Sequence, residues 1–129
     1  MRIPAFCLAL LMMLPVSVPA AAQSLMTSYV AVIGNQDLYN SNGTRLSSVW
    51  QVIRQDRANL HRFGIWQAGD QSDPYFADAN NRARLEQLVM GASLPTHIVQ
   101  RVMSGTARVR VDVYGNGAVF TGVAVTVLN

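Results

Sequence analysis

Apolar positions change their spacing along the chain, and each change marks an element. The unbroken run from Tyr29 to Ile33, closed by Gly34 and Asn35, predicts a strand buried on both faces, with Ser24 to Ser28 as its extension. Asp37 to Tyr39 then predicts a brief extended piece entering a turn at Asn40-Ser41-Asn42-Gly43, because Asn-Gly tolerates positive φ.

From Leu46 the period becomes helical. Leu46, Val49, Trp50, Ile53 and Leu60 fall on one stripe at about 100° per residue, which predicts a helix over 48–62 with Ser47 or Ser48 as N-cap and Gly64 as its stop. Arg57 falls inside that apolar stripe. Gly64 to Asp73 reads as a loop. A second helix follows, started by Asp73-Pro74 or by the competing cap Asp78, and running to about Met90. Its apolar face is Ala77, Leu85 and Leu88, and Arg82 stands four residues before Glu86, in position to pair. Gly91 closes it, and Leu94, Ile98 and Val102 define a short third helix ending by Gly105.

Beyond Thr106 the pattern is strict alternation. Val109, Val111 and Val113 alternate with Arg108, Arg110, Asp112 and Tyr114, and a second run covers Ala118 to Leu128. These form a hairpin. Matching the valines favours a three-residue turn that sets Val113 opposite Val119 and Val109 opposite Val123. The outer face then carries Arg108, Arg110, Asp112, Tyr114 and Phe120, with Gly122 and Ala124 between them. The predicted fold class is α+β: a three-stranded antiparallel sheet, made of the N-terminal strand and the C-terminal hairpin, packed against three helices.

Composition changes this picture at the N-terminus. Residues 1–22 combine Arg2, an apolar run from Ala5 to Leu14 and small residues through Ala20-Ala21-Ala22, the pattern of a secretory signal peptide cleaved after Ala22. Pro15 and Pro19 interrupt the run before it reaches the roughly twenty apolar residues of a bilayer span, so no stable membrane anchor is expected. Cys7 precedes the main apolar run instead of following it, which argues against a lipoprotein. The expectation is a single domain over 23–129, located in the bacterial periplasm or exterior, without a disulfide because Cys7 is the chain's one cysteine. All ten basic residues are arginines, and the mature segment carries a net charge of +2. No run of basic residues suggests nucleic acid or an acidic membrane surface.

Candidate chemistry is sparse. Asn40 to Gly43 has the look of a calcium loop, but its first and twelfth positions would be Leu38 and Val49, which cannot ligate. Asn42-Gly43-Thr44 is a glycosylation sequon, idle in a bacterial envelope. Trp50, Arg54, Arg57 and His61 recur at steps of four, three and four, and could line an anion site in which guanidinium groups hold a carboxylate or phosphate beside the indole. If Arg57 is instead buried, it needs a carboxylate. Asp56 is adjacent on the helix and points elsewhere, leaving Asp37, Asp78 and Glu86. Arg108, Arg110, Tyr114 and Phe120 offer a second candidate, an interaction surface on the hairpin.

For catalysis there is no nucleophile turn, no His spacing for a metal and no implied cofactor. The chain therefore reads as an exported, non-enzymatic protein acting through a binding surface, its partner another protein or a small anionic ligand. Two alternatives stand beside it: a small hydrolytic enzyme using the Asp70 to Asp78 loop with His61, and a subunit that pairs through a sheet edge.

Overall fold

A computed structural model describes residues 23–129; the expected leader, its cleavage point after Ala22 and Cys7 lie outside the described residues. The elements are strand β1 (Ser24–Ile33), a 3-10 turn (Asn35–Leu38), helices α1 (Val49–His61), α2 (Ala79–Gly91) and α3 (Thr96–Met103), and strands β2 (Ala107–Asn116) and β3 (Val119–Leu128). The strands form one antiparallel sheet in the order β1-β2-β3. The fold is α+β, with the sheet packed against three helices. No helix among the described residues is long and apolar enough to cross a membrane.

The core lies between the helices and one face of the sheet. Val109, Val111 and Val113 of the central strand are fully buried there, beside Tyr29, Ala31 and Ile33 of β1. Val49, Val52, Ile53 and Leu60 of α1, Leu85 and Val89 of α2, and Ile98 and Val102 of α3 cover them. Tyr29, Phe76 and Phe120 form a chain of rings, with centroids 5.9 and 5.8 Å apart.

Several local expectations are corrected. β1 is buried on one face only, with Val30 and Val32 half-exposed on the other, because the helices cover a single side of the sheet. The piece at Asp37 is a 3-10 turn, not extended chain, since the Asp37 carboxylate folds back to accept the Gly34 amide at 2.9 Å. Asp78 starts α2, accepting from the amides of Asn80 and Asn81 at 2.7 and 3.3 Å. Arg82 does not reach Glu86; it donates to the Phe76 and Ala77 carbonyls, and Glu86 binds Arg54 at 2.6 Å.

The hairpin register also differs. Asn116 pairs with Val119 across a two-residue Gly117-Ala118 turn, with φ at Gly117 of +64°, a turn that takes glycine first and suits the strand twist. Tyr114 then pairs with Gly122 and Gly115 with Phe120, leaving Thr121 as an extra residue in β3. This bulge reverses the alternation, so Val113, Val111 and Val109 face Val123, Val125 and Val127. It also turns Phe120 into the core, where it is 4% exposed, instead of onto the outer face beside Tyr114. Gly115 is required at the bulge, because a Cβ there would collide with the Val119 carbonyl oxygen and the Met26 sulfur.

Candidate functional site

Two polar groupings flank α1, one sealed and one open. The sealed one centres on Arg57, which is 0% exposed and lies over the Tyr29 ring with its guanidinium carbon 3.9 Å from the centroid. Its Nε donates to Asp56 Oδ2 at 2.7 Å, and its Nη1 donates to Asp73 Oδ1 at 3.1 Å and to the Gln71 carbonyl at 2.9 Å. The neighbouring residue thus does serve as a partner: both side chains are buried, and the long arginine bends sideways around the helix far enough to reach it. None of the three carboxylates named from sequence as Arg57's partner touches it. Arg57 Nη2 and the Tyr29 hydroxyl are buried with no hydrogen-bond partner among the described residues.

Asp73 ties the loop to the helices. Its Oδ1 also lies 2.7 Å from His61 Nε2, while its Oδ2 accepts the amides of Tyr75 and Phe76 at 2.8 and 2.6 Å. Burial would raise its pKa, but the bonds from His61, the two amides and Arg57 outweigh that effect and hold it below the usual carboxylate range. Asp56 goes the other way: burial pushes its carboxyl up to about 7 against the opposing pull of Arg57. For Arg57, burial favours loss of the proton, yet the Asp56 carboxylate and the hydrogen bonds to Asp56 and Asp73 hold the pKa above its ordinary value.

Arg54 is engaged with Glu86, Arg57 with two aspartates and His61 with Asp73, so each polar side chain of the stripe that suggested an anion site, Trp50 aside, has a carboxylate partner within the fold. Trp50 packs half-buried against the core. The His61 to Asp73 bond is the geometry a hydrolytic couple would need. Asp73, however, is committed to two loop amides and a guanidinium, and among the described residues no serine or threonine hydroxyl bonds to His61.

The open grouping is a cleft of about 240 Å³ on the other side of α1, lined by Gln36, Tyr39, Asn40, Ser41, Gln55, Asn59, Phe63 and Ile65. Its floor is hydrogen-bonded throughout. Asn59, almost wholly buried, donates to Asp37 Oδ1 at 2.9 Å and accepts from Gln55 Nε2 at 2.9 Å. Asp37 Oδ2 in turn accepts from the Gly34 amide and from Gln67 Nε2, both at 2.9 Å. Burial raises the Asp37 pKa, partly offset by the Gly34 and Asn59 bonds. Above this floor stand two aromatic rings, Tyr39 at 38% and Phe63 at 43% exposed. One face of each ring lies near a guanidinium, Arg45 at 5.7 Å from Tyr39 and Arg62 at 5.0 Å from Phe63.

Sequence reasoning missed this cleft, although part of it was visible. Gln55, Asn59 and Phe63 recur every fourth residue along α1 and just past its end, an amide-amide-aromatic stripe on one face. Tyr39 falls at the end of the expected extended piece and Asn40 in the turn after it, and neither pattern points to a ligand.

The remaining candidates lie on the outer sheet face. Arg108 and Arg110 are exposed and Tyr114 is half-buried, in a row with Asp112 between them. Arg110 Nε binds Asp112 Oδ2 at 3.3 Å, and Ser28 donates to Asp112 Oδ1 at 2.6 Å. Without Phe120, this face is polar at its centre. No protein-family model, curated protein or solved structure matches the chain.

Proposed function

We propose that the chain is an exported, non-enzymatic binding protein of the bacterial periplasm or exterior, and that its cleft beside α1 takes an uncharged, hydroxyl-rich ligand such as one unit of a neutral saccharide. The observation that carries this reading is the cleft lining: two exposed aromatic rings beside three side-chain amides and a hydroxyl, over a buried amide and with no charged side chain. Amides donate and accept at once, which suits hydroxyl groups, and an aromatic face covers the apolar C–H face of a sugar ring. A volume near 240 Å³ matches one ring better than a folded peptide. Export is supported by the leader pattern of residues 1–22.

The test is a titration of isotope-labelled protein with a panel of neutral oligosaccharides, followed through the side-chain amide signals. Shifts concentrated at Gln36, Asn40, Gln55 and Asn59 are expected. No shift at these four groups up to about 10 mM ligand would overturn the assignment.

A further inference from the structure

The two edges of the sheet are treated differently. On β1 the outer edge is strapped by the loop before Asp73: the Val30 amide donates to Gln71 Oε1 at 3.0 Å, the Gln71 amide donates to the Val30 carbonyl at 2.9 Å, and the Val32 amide donates to Asp70 Oδ1 at 2.7 Å. On β3 the outer edge receives, among the described residues, one bond, from Arg84 Nε to the Phe120 carbonyl at 3.1 Å, at the bulged end. Beyond the bulge, Gly122 to Leu128 is regular, uncharged and rich in valine. An edge of that kind, with no lysine or proline in it and no covering loop among the described residues, is a template for pairing with another strand.

Two clefts lie along this edge, between β3 and helices α2 and α3. One, about 290 Å³, lies between α2 and β3, lined by Gln87, Leu88, Gly91 and Val123 among others. The other, about 540 Å³, lies between α3 and β3, lined by His97, Gln100, Arg101 and Val127 among others. The core-facing valines follow the same division: Val125 is buried, whereas Val123 and Val127 at the two clefts are half-exposed.

We infer that β3 pairs antiparallel with β3 of a second copy about a two-fold axis through Val125, making one continuous six-stranded sheet. Val125 is the midpoint of the regular segment Gly122 to Leu128. Centring there sets Val123 opposite Val127 of the second copy and Ala124 opposite its Thr126. Residues directly opposite share a face, so each half-exposed valine is covered by the other kind. The charges also agree. Each α3 cleft, with Arg101 and His97, meets the uncharged α2 cleft of the second copy, so like charges do not oppose. Because the axis uses both free edges and β1 is strapped, the assembly closes at two copies.

Sedimentation velocity on the chain as recovered from its expression host, over a range of concentration, tests this. A dimer is expected, and Thr126→Lys, which places a charge on an exposed edge position, is expected to weaken it at least about tenfold without changing the far-UV spectrum. If that variant fails to fold, a Cys7→Ser background carrying Ala124→Cys and Thr126→Cys decides, with oxidation yielding linked dimers that a Ser28→Cys control does not. A monomer throughout, an open series of larger species, or a dimer that ignores Thr126→Lys and does not cross-link through these cysteines would overturn the inference.

Discussion

Arg57 shows how much one side chain can organise. Its guanidinium joins α1 to the loop at Gln71 and Asp73 and stacks on Tyr29 of β1, so three parts of the fold meet at one buried cation. Removing one partner of a buried pair leaves uncompensated charge and typically costs about 3 to 5 kcal/mol. Arg57→Met is therefore expected to lower unfolding stability by about that amount, read from urea denaturation; an unchanged midpoint would deny the anchoring role. The aspartates set opposing pH responses. Asp56, with its folded pKa raised, contributes stability below its ordinary range that is lost as pH climbs through about 7. Asp73, with its pKa depressed, contributes stability above its ordinary range that is lost as pH falls. Asp56→Asn should accordingly flatten the decline in urea midpoint between about pH 4 and pH 7, leaving the residual slope of Asp37. An unaltered pH profile in that variant would remove Asp56 as its source. Burial of Arg57 was foreshadowed by its place in the apolar stripe of α1. Its partners were not, because adjacency on a helix excludes contact for short side chains and not for one as long as arginine.

At the scale of elements, the helix and strand periods were strong enough to read directly. α1 lies within one residue of its expected bounds, and the inner row Val109, Val111 and Val113 packs against the helices. What alternation could not reveal was the bulge at Thr121, since one extra residue shifts faces without altering composition. Phe120 is the consequence. It packs on Tyr75 and Phe76, with ring centroids 5.2 and 5.8 Å away, while its neighbour Val119 is 59% exposed. Phe120→Ala is expected to cost about 3 to 5 kcal/mol and Val119→Ala less than about 0.5 kcal/mol. Equal, small losses at both positions in thermal denaturation would place Phe120 back on the outer face. The 3-10 turn at Asn35–Leu38 escaped the sequence pattern for a different reason. It depends on Asp37 reaching the Gly34 amide and on Asn59 and Gln67, which are 22 and 30 residues away.

For the molecule as a whole, the polar residues divide between a grouping around the buried Arg57 and an open cleft, on opposite sides of α1. The grouping around Arg57 collected the residues whose types suggested chemistry, namely Arg54, Arg57, His61 and Asp73, and paired each with another side chain of the fold, Arg57 Nη2 alone among its nitrogens being left without a partner among the described residues. The cleft collected amides and aromatics whose types suggested nothing singly. Their meaning lies in convergence, and convergence of Tyr39 with Phe63 across 24 residues needs the fold. The two halves share α1, because Asn59, whose bond to Asp37 floors the cleft, belongs to the helix that Arg57 ties to Asp73. The most direct test is calorimetric titration of the protein and its Tyr39→Ala/Phe63→Ala variant with the neutral saccharide that shifts the cleft amides most. The account predicts at least about a tenfold loss of affinity with an unchanged unfolding midpoint. Equal affinity in the two proteins would contradict it.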